Sequence, residues 1–305
     1  MREDRRRVYA VAGQTVEAPK LAAGLHLVAT PIGNLRDISL RALETLAAAD
    51  LIACEDTRIT RRLLDHYGIA TPMTPYHEHN AAAARPKLLE RLADGASVAL
   101  VSDAGTPLIS DPGFKLVRAA RDAGRNVTAL PGASAVLAAL TIVGLPTDRF
   151  FFEGFLPVKA GQRHTRIGEI ARIPATLVLY ETGPRLARTL ADLTEVLGPR
   201  AAAICRELTK LHEEVRRGDL AALAQVYAED SAETRGEIVI VISPPNAEAD
   251  QPDGNDIDAL LRRALARVSV KDAVSEVAGA TGRPRREIYQ RALALAEEAP
   301  DGAAR

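Results

Sequence analysis

The chain has 305 residues, 47% hydrophobic and 26% charged, which is enough apolar material for a large core divided over two or three domains. Its 39 Lys and Arg against 40 Asp and Glu give a formal charge of -1, which excludes a globally basic nucleic-acid binder and confines any polyanion contact to local patches. The longest apolar stretch, Ala133 to Leu145, is short and interrupted by Ser134, Thr141 and Gly144, and the charged start MREDRRR leads into no apolar core of signal length, so a cytoplasmic protein with no membrane contact is expected.

Residues 1–23 carry no periodic apolar pattern and read as a mobile extension. The folded part begins near Gly24. Leu25 to Ala29 is a short apolar strand broken at Thr30-Pro31-Ile32-Gly33-Asn34, and a helix follows from Ser39, a good N-cap, to Ala49. A strand over Leu51 to Cys54 precedes helical patterning over Arg58 to Tyr67 and Ala81 to Asp94. The strand that starts at Val98 runs into an acidic loop rich in glycine and proline, Ser102 to Gly113. A helix from Gly113 to Ala123, a strand from Val127 to Leu130 and a helix from Ala133 to Val143, opened by Pro131-Gly132, complete the pattern. Strands alternating with helices over 24–145 predict an α/β domain whose mostly parallel sheet is covered on both faces.

The pattern changes after Leu145-Pro146. Strands over Phe150 to Glu153, Thr176 to Glu181, Ala201 to Arg206 and Glu237 to Ile242, with helices over Gln162 to Ala171, Arg185 to Val196 and Asp219 to Glu229, predict a second α/β or α+β domain at 146–243. Residues 244–256, rich in Pro, Asp and Asn, read as a linker. The rest, 257–299, reads as three helices with Thr281-Gly282-Arg283-Pro284 between the last two. That spacing suits a helix-turn-helix, with Arg283, Arg285 and Arg286 at the start of the recognition helix, and it equally suits a plain three-helix packing module.

Neither the G-x-G-x-x-G dinucleotide fingerprint nor the G-x-x-x-x-G-K-[ST] phosphate loop is present. Three strand ends stop instead in special turns: Thr30-Pro31-Ile32-Gly33, Ser102-Asp103-Ala104-Gly105-Thr106-Pro107 and Leu130-Pro131-Gly132-Ala133-Ser134. In parallel sheets ligands sit at the carboxyl ends of strands, so these loops should converge on one small-molecule cleft. Cys54 and Cys205, the two cysteines, fall inside apolar strands and read as small hydrophobes. His77-Glu78-His79 offers two imidazoles on an extended segment but lacks further paired ligands, so no metal is expected there.

Seven motifs in order resemble the tetrapyrrole-methylase superfamily: Ala29-Thr30-Pro31-Ile32-Gly33-Asn34-Leu35, Glu55-Asp56-Thr57-Arg58, Ser102 to Pro107, Leu130-Pro131-Gly132, Glu153-Gly154-Phe155-Leu156-Pro157, Arg206-Glu207-Leu208-Thr209-Lys210 and Arg235-Gly236-Glu237. Within it the chain is similar to the ribosomal RNA small subunit methyltransferase I group, from about Gly24 to Ile242, and its tail resembles that group's helix-turn-helix extension. The resemblance implies two α/β domains of the class III methyltransferase type with S-adenosylmethionine in the cleft between them. It further implies a homodimer, 16S ribosomal RNA of the small subunit as partner, and a 2′-O-methylated cytidine in the decoding region as product. By motif position Asp103, Gly105, Thr106, Pro107, Ile109, Ser134, Tyr180, Glu181, Leu208, Gly236 and Glu237 should bind the donor, together with Pro31 and Gly33 of the first turn.

The general base is open at this point; Glu78, His79 and Lys210 are titratable groups between elements near the cleft. Arg58, held by the acidic pair before it, and Lys159 and Arg163, in the loop after the second domain's first strand, are expected to contact RNA phosphates with Arg283, Arg285 and Arg286. Two other functions compete: methylation of a tetrapyrrole, since the donor site is shared across the superfamily, and a non-enzymatic regulator that senses a metabolite and binds nucleic acid through its tail.

Overall fold

The computed structural model describes residues 7–229, 235–245, 254–281 and 283–298. They fall into two compact units divided after Pro244.

The first unit opens where a mobile extension is expected, and the structure corrects that reading. Strands β1 (Val8–Val11) and β2 (Gln14–Glu17) form an antiparallel hairpin about Ala12 and Gly13, both at positive φ. Tyr9 and Ala18 are buried in the same core as Leu43, Leu46 and Leu64. The pattern escapes notice because each strand has four residues and only Tyr9 is fully inward.

Next come β3 (Gly24–Val28), α1 (Leu40–Ala48), β4 (Leu51–Cys54), α2 (Thr57–His66), β5 (Met73–Pro75), α3 (Ala81–Ala93), β6 (Ser97–Val101), α4 (Phe114–Asp122), β7 (Val127–Leu130) and α5 (Ala135–Val143). The five strands pair in the order β5-β4-β6-β3-β7, every pair parallel. β4 and β6 are buried at every position, as central strands covered on both faces should be. Ser39 caps α1 as its position predicts, its hydroxyl accepting from the Ala42 amide at 3.1 Å.

The second half contains β8 (Phe150–Phe155), α6 (Ala160–Ile170), β9 (Thr176–Thr182), α7 (Gly183–Leu197), β10 (Ala201–Arg206), β11 (Glu214–Asp219), α8 (Leu220–Glu229) and β12 (Glu237–Ile242). Their sheet is mixed, in the order β11-β10-β12-β9-β8, with β8 and β9 parallel and the other pairs antiparallel. α5 packs its Val136, Ala139, Leu140 and Val143 against Val178, Ala203, Val239 and Val241 of this sheet, so the last helix of the first half shares a core with the second sheet. β5 and β11 are absent from the sequence expectation. Both are edge strands, one with a proline and the other reading EVRRGD, where alternation is not enforced by burial.

The second unit contains α9 (Gly254–Leu265), α10 (Val270–Thr281) and α11 (Arg285–Glu298) around a core of Leu261, Ala273, Val277, Ile288 and Ala292. α9 starts inside the range read as linker. Asp258 accepts two hydrogen bonds from Arg291 and ties α9 to α11, while Ser269 and Asp272 cap α10. Gly282 lies outside the described residues, and the short 282–284 connection between α10 and α11 has the length of a helix-turn-helix turn.

Candidate active site between the two sheets

The carboxyl ends of β3, β4, β6 and β7 and the facing ends of β8, β9, β10 and β12 enclose a cleft of about 290 Å³. This is the strand-end position that open parallel sheets offer to ligands. Two loops of the first half are zipped together at its floor. The Thr30 amide donates to the Gly105 carbonyl at 2.9 Å and the Gly105 amide to Thr30 at 3.0 Å. Gly105 has φ +77°, and an added Cβ would sit 3.2 Å from Ile32 Cγ2, so a side chain there is both strained and crowded.

Each half contributes a strained loop. Leu108 and Ser110, at φ 74° and 63°, lie in the Ser102 to Gly113 loop; Glu207 and Thr209, at 51° and 67°, follow β10. Left-handed backbone at non-glycine residues costs of order 1–3 kcal/mol each and gathers at ligand clamps. The second loop reaches across to the first half, where Thr209 Oγ1 accepts from the Asn34 amide at 3.1 Å. An added Cβ on Gly33 would fall 2.4 Å from Lys210 Cγ, so the close approach of the two halves requires glycine there.

The cleft is acidic. Glu55, Asp103, Asp111, Glu181 and Glu237 all line it, with no Lys or Arg among the lining residues. Burial raises Asp103, although its carboxylate accepts from the Asp56 amide at 2.9 Å. Glu55 is raised by burial and by Asp103, and Asp111 is pushed up to about 6 by burial and by Glu55. Tyr180 is raised to about 12 by burial and by Asp111, so its phenol keeps its proton. The carboxylate of Glu181 is committed internally, accepting from Thr189 Oγ1 at 2.7 Å and the Thr182 amide at 2.8 Å, with Arg185 3.1 Å away.

The cleft is lined as well by Ile32, Ile109, Phe155, Tyr180, Leu208, Ile238 and Val239. Phe155 and Tyr180 meet edge to face at 5.6 Å. A ligand suited to this cleft has a flat or apolar part and a positive centre. S-adenosylmethionine has both, in its adenosine and its sulfonium, so the residues present fit it.

Nine of the residues expected at the donor site come together here: Asp103, Gly105, Thr106, Ile109, Ser134, Tyr180, Glu181, Leu208 and Glu237. Pro31, Gly33, Pro107 and Gly236 do not line the cleft; they shape the loops that do. Asp111, Glu55, Phe155 and Ile32 were not expected. The signal for Asp111 in the sequence is its place in the Asp111-Pro112-Gly113 end of the acidic, glycine- and proline-rich loop that follows β6.

The expected bases lie outside the cleft lining. Glu78 and His79 are exposed and do not line the cleft; of that run it is His77 whose charge is felt by Glu55. Lys210 lies outside the lining and donates to Glu207 at 2.9 Å and Glu237 at 3.0 Å. Burial opposes its charge, but these carboxylates outweigh burial and raise it, so it stays an ammonium and serves as a clamp.

Arg163 is also corrected. It is 3% exposed, pairs with Asp192 at 2.5 Å and donates to the Pro157 and Val158 carbonyls, which leaves it packed inside rather than facing a phosphate. Arg58 is 86% exposed and is held by Asp56, the N-cap of α2, whose carboxyl falls to about 2 chiefly through the hydrogen bond from the Arg58 side chain. Lys159, Arg285 and Arg286 are exposed, and Arg283 is half-buried, 3.6 Å from Glu287. Among the described residues, the group that could gather on a metal is His164, Asp192 and Glu195, and Asp192 is already engaged by Arg163. No helix of the described residues is long and apolar enough to cross a membrane.

Comparison with known proteins agrees with this geometry. Residues 24–224 match the family of tetrapyrrole (corrin/porphyrin) methylases, and residues 251–296 match the RsmI C-terminal HTH domain. A protein of Mesorhizobium japonicum named ribosomal RNA small subunit methyltransferase I is 54% identical over 96% of this chain and 99% of its own length. One of the same name from Pseudomonas aeruginosa is 46% identical over 89% and 97%. Among solved structures, diphthine synthase shares the fold at TM-score 0.57 and 20% identity, covering 72% of this chain and 89% of that one. A uroporphyrin III C-methyltransferase from Thermus thermophilus, complexed with S-adenosyl homocysteine, does so at TM-score 0.50 and 20% identity, covering 72% and 97%. The chain belongs to the tetrapyrrole methylase family and, within it, to the ribosomal RNA small subunit methyltransferase I group.

Proposed function

We propose that this chain, an S-adenosylmethionine-dependent methyltransferase of ribosomal RNA, acts on the 2′-hydroxyl of a cytidine in the decoding region of the small-subunit 16S rRNA. The observation that carries the reading is the cleft at the strand ends, lined by both carboxylates and apolar side chains. When bound there, S-adenosylmethionine supplies an electrophilic methyl on a positively charged sulfur. Asp103 and its neighbours offset that charge. Ile109, Tyr180 and Leu208 exclude water, which strengthens each remaining polar contact.

The RNA contacts are assigned to Arg58 and Lys159 on the first unit and to Arg283, Arg285 and Arg286 on the second. Arg285 and Arg286 sit in the first turn of α11, where a helix end disfavours positive charge unless an anion faces it. Apolar Leu137 and Ile142 remain exposed on α5 and support a homodimer. The rRNA substrate supports a cytoplasmic location.

The test uses labelled S-adenosylmethionine with small subunits that lack this modification, ordinary subunits and a tetrapyrrole precursor in parallel. Label in the unmodified subunits, at a linkage resistant to alkaline cleavage, is the expected result. Label at an alkali-sensitive position moves the methyl to a base, and label only in the tetrapyrrole overturns the RNA assignment.

A further inference from the structure

The cleft suits a methyl donor, and the proton of the attacking hydroxyl then needs an acceptor. Lys210 is an ammonium between two carboxylates, Tyr180 keeps its phenolic proton, and Glu181 is spent on Thr189, Thr182 and Arg185. Asp56 is bound to Arg58, and Glu237 to Lys210. Asp103 accepts from the Asp56 amide, which leaves Glu55 and Asp111, and of these Asp111 sits on the loop that is seated against the second half.

Asp111 lines the cleft at the end of the strained Ser102 to Gly113 loop. Its place is fixed from three sides. Ser110, just before it, has φ 63°, and a Cβ on the facing Gly154 of β8 would lie 2.9 Å from Ser110 Oγ, so the loop is seated tightly on the second half. Gly113, just after it, has φ 137° and leads into α4. The Ser102 hydroxyl, which donates to the Ala104 and Gly105 carbonyls at 3.3 Å, favours the charged form of the Asp111 carboxyl. The charged and titratable groups that face it are Glu55 from the turn after β4, Asp103 from the loop after β6 and Tyr180 from β9. No cation pairs with it among the ion pairs of the described residues.

We propose that Asp111 is the general base of the reaction, taking the proton of the substrate hydroxyl as that oxygen attacks the methyl carbon. The assignment rests on the methyl-transfer reading given above. The hydroxyl oxygen forms its bond to carbon while the carbon–sulfur bond breaks and its electron pair stays on sulfur. The hydroxyl proton passes to a carboxylate oxygen of Asp111 and from there to water after product leaves. A carboxylate that ionises near 6 is well matched to this work, because it is largely deprotonated at neutral pH yet more basic than an ordinary Asp. The low-dielectric, anionic surroundings that raise it are those that make it a proton acceptor.

The experiment compares wild type with Asp111→Asn and Asp111→Glu in single-turnover methylation of unmodified small subunits from pH 5 to 9, with S-adenosylmethionine affinity measured by calorimetry on the same samples. Wild-type rates should rise through an acid limb near pH 6. Asp111→Asn should bind the donor within about threefold of wild type, lose about 10²- to 10⁴-fold in rate at pH 7.5 and lose the acid limb, with Asp111→Glu recovering part of the rate. An Asn variant that keeps rate and limb overturns the assignment. So does one whose defect is confined to donor affinity, which would make Asp111 a binding group for the cation. If wild type itself labels no subunits, it is the rRNA reading that fails.

Discussion

The two halves of the first unit face each other across one cleft and build their shares of it differently. The parallel sheet delivers its ligand groups from loops after strands, and these carry Glu55, Asp103 and Asp111. The mixed sheet delivers Tyr180, Cys205, Ile238 and Val239 from the strands themselves, joined by Phe155 and Leu208. Loops can hold carboxylates partly solvated, and strands hold apolar side chains in fixed register. The division is partial: Glu181 and Glu237 add carboxylates from the second half and Ile32 and Ile109 add apolar surface from the first, while the raised Glu55, Asp103 and Asp111 lie on the first half and the aromatic pair Phe155 and Tyr180 on the second. The strained residues, Leu108 and Ser110 on one side and Glu207 and Thr209 on the other, lie where the two halves close.

Breaking the acidic side should have the largest effect. Asp103→Ala removes a cleft carboxylate and the acceptor of the Asp56 amide, and is expected to weaken S-adenosylmethionine by roughly 10- to 100-fold, the worth of a charged hydrogen-bonding group. RNA affinity should be unchanged, since no RNA contact is assigned to that residue; calorimetry and filter binding read the two separately. Breaking the apolar side should cost less. Ile109 is 43% exposed, so Ile109→Ala spares stability while removing methylene contacts worth about 1–2 kcal/mol, or about 5- to 30-fold in donor affinity.

The smallest effect separates the halves by pH. Asp111 ionises near 6 in the folded state, above the ordinary carboxylate value, so the folded protein holds a proton that the unfolded chain has released between about pH 4 and pH 6. Stability from this group therefore falls as pH rises through that window and stays lowered above it. Asp111→Asn removes the cost of the buried charge, and its Tm should exceed that of wild type at pH 7.5 by roughly 2–4 °C, an amount discounted for the partial exposure of the group. The gap should close below about pH 4. An equal gap at both pH values would trace the change to packing instead of charge.

The sequence announces much of this molecule because its buried strands are continuous apolar runs and its helices are capped by residues such as Ser39. Edge elements escape it. β11 is polar because one side of it faces water, and the β1–β2 hairpin gains its place from Tyr9 docking on a core assembled from distant segments. The cleft is legible at the motif level, since Asp103, Gly105 and Tyr180 are in place, but individual roles are not. Arg163 and Lys210 look like free cations in one dimension, and only the packed structure gives them Asp192, Glu207 and Glu237 as partners. Asp111 shows the converse: nothing in its neighbours along the chain reveals that Glu55, 56 residues earlier, would share its pocket.

The most direct test of the division between the two sides is a crystal structure of the protein with S-adenosyl homocysteine. The account expects the ligand in the cleft, its adenosine against Ile109, Tyr180 and Leu208 and its thioether end toward the carboxylates of the first half. Density at any other surface, or an adenosine packed away from Ile109, Tyr180 and Leu208, would contradict it.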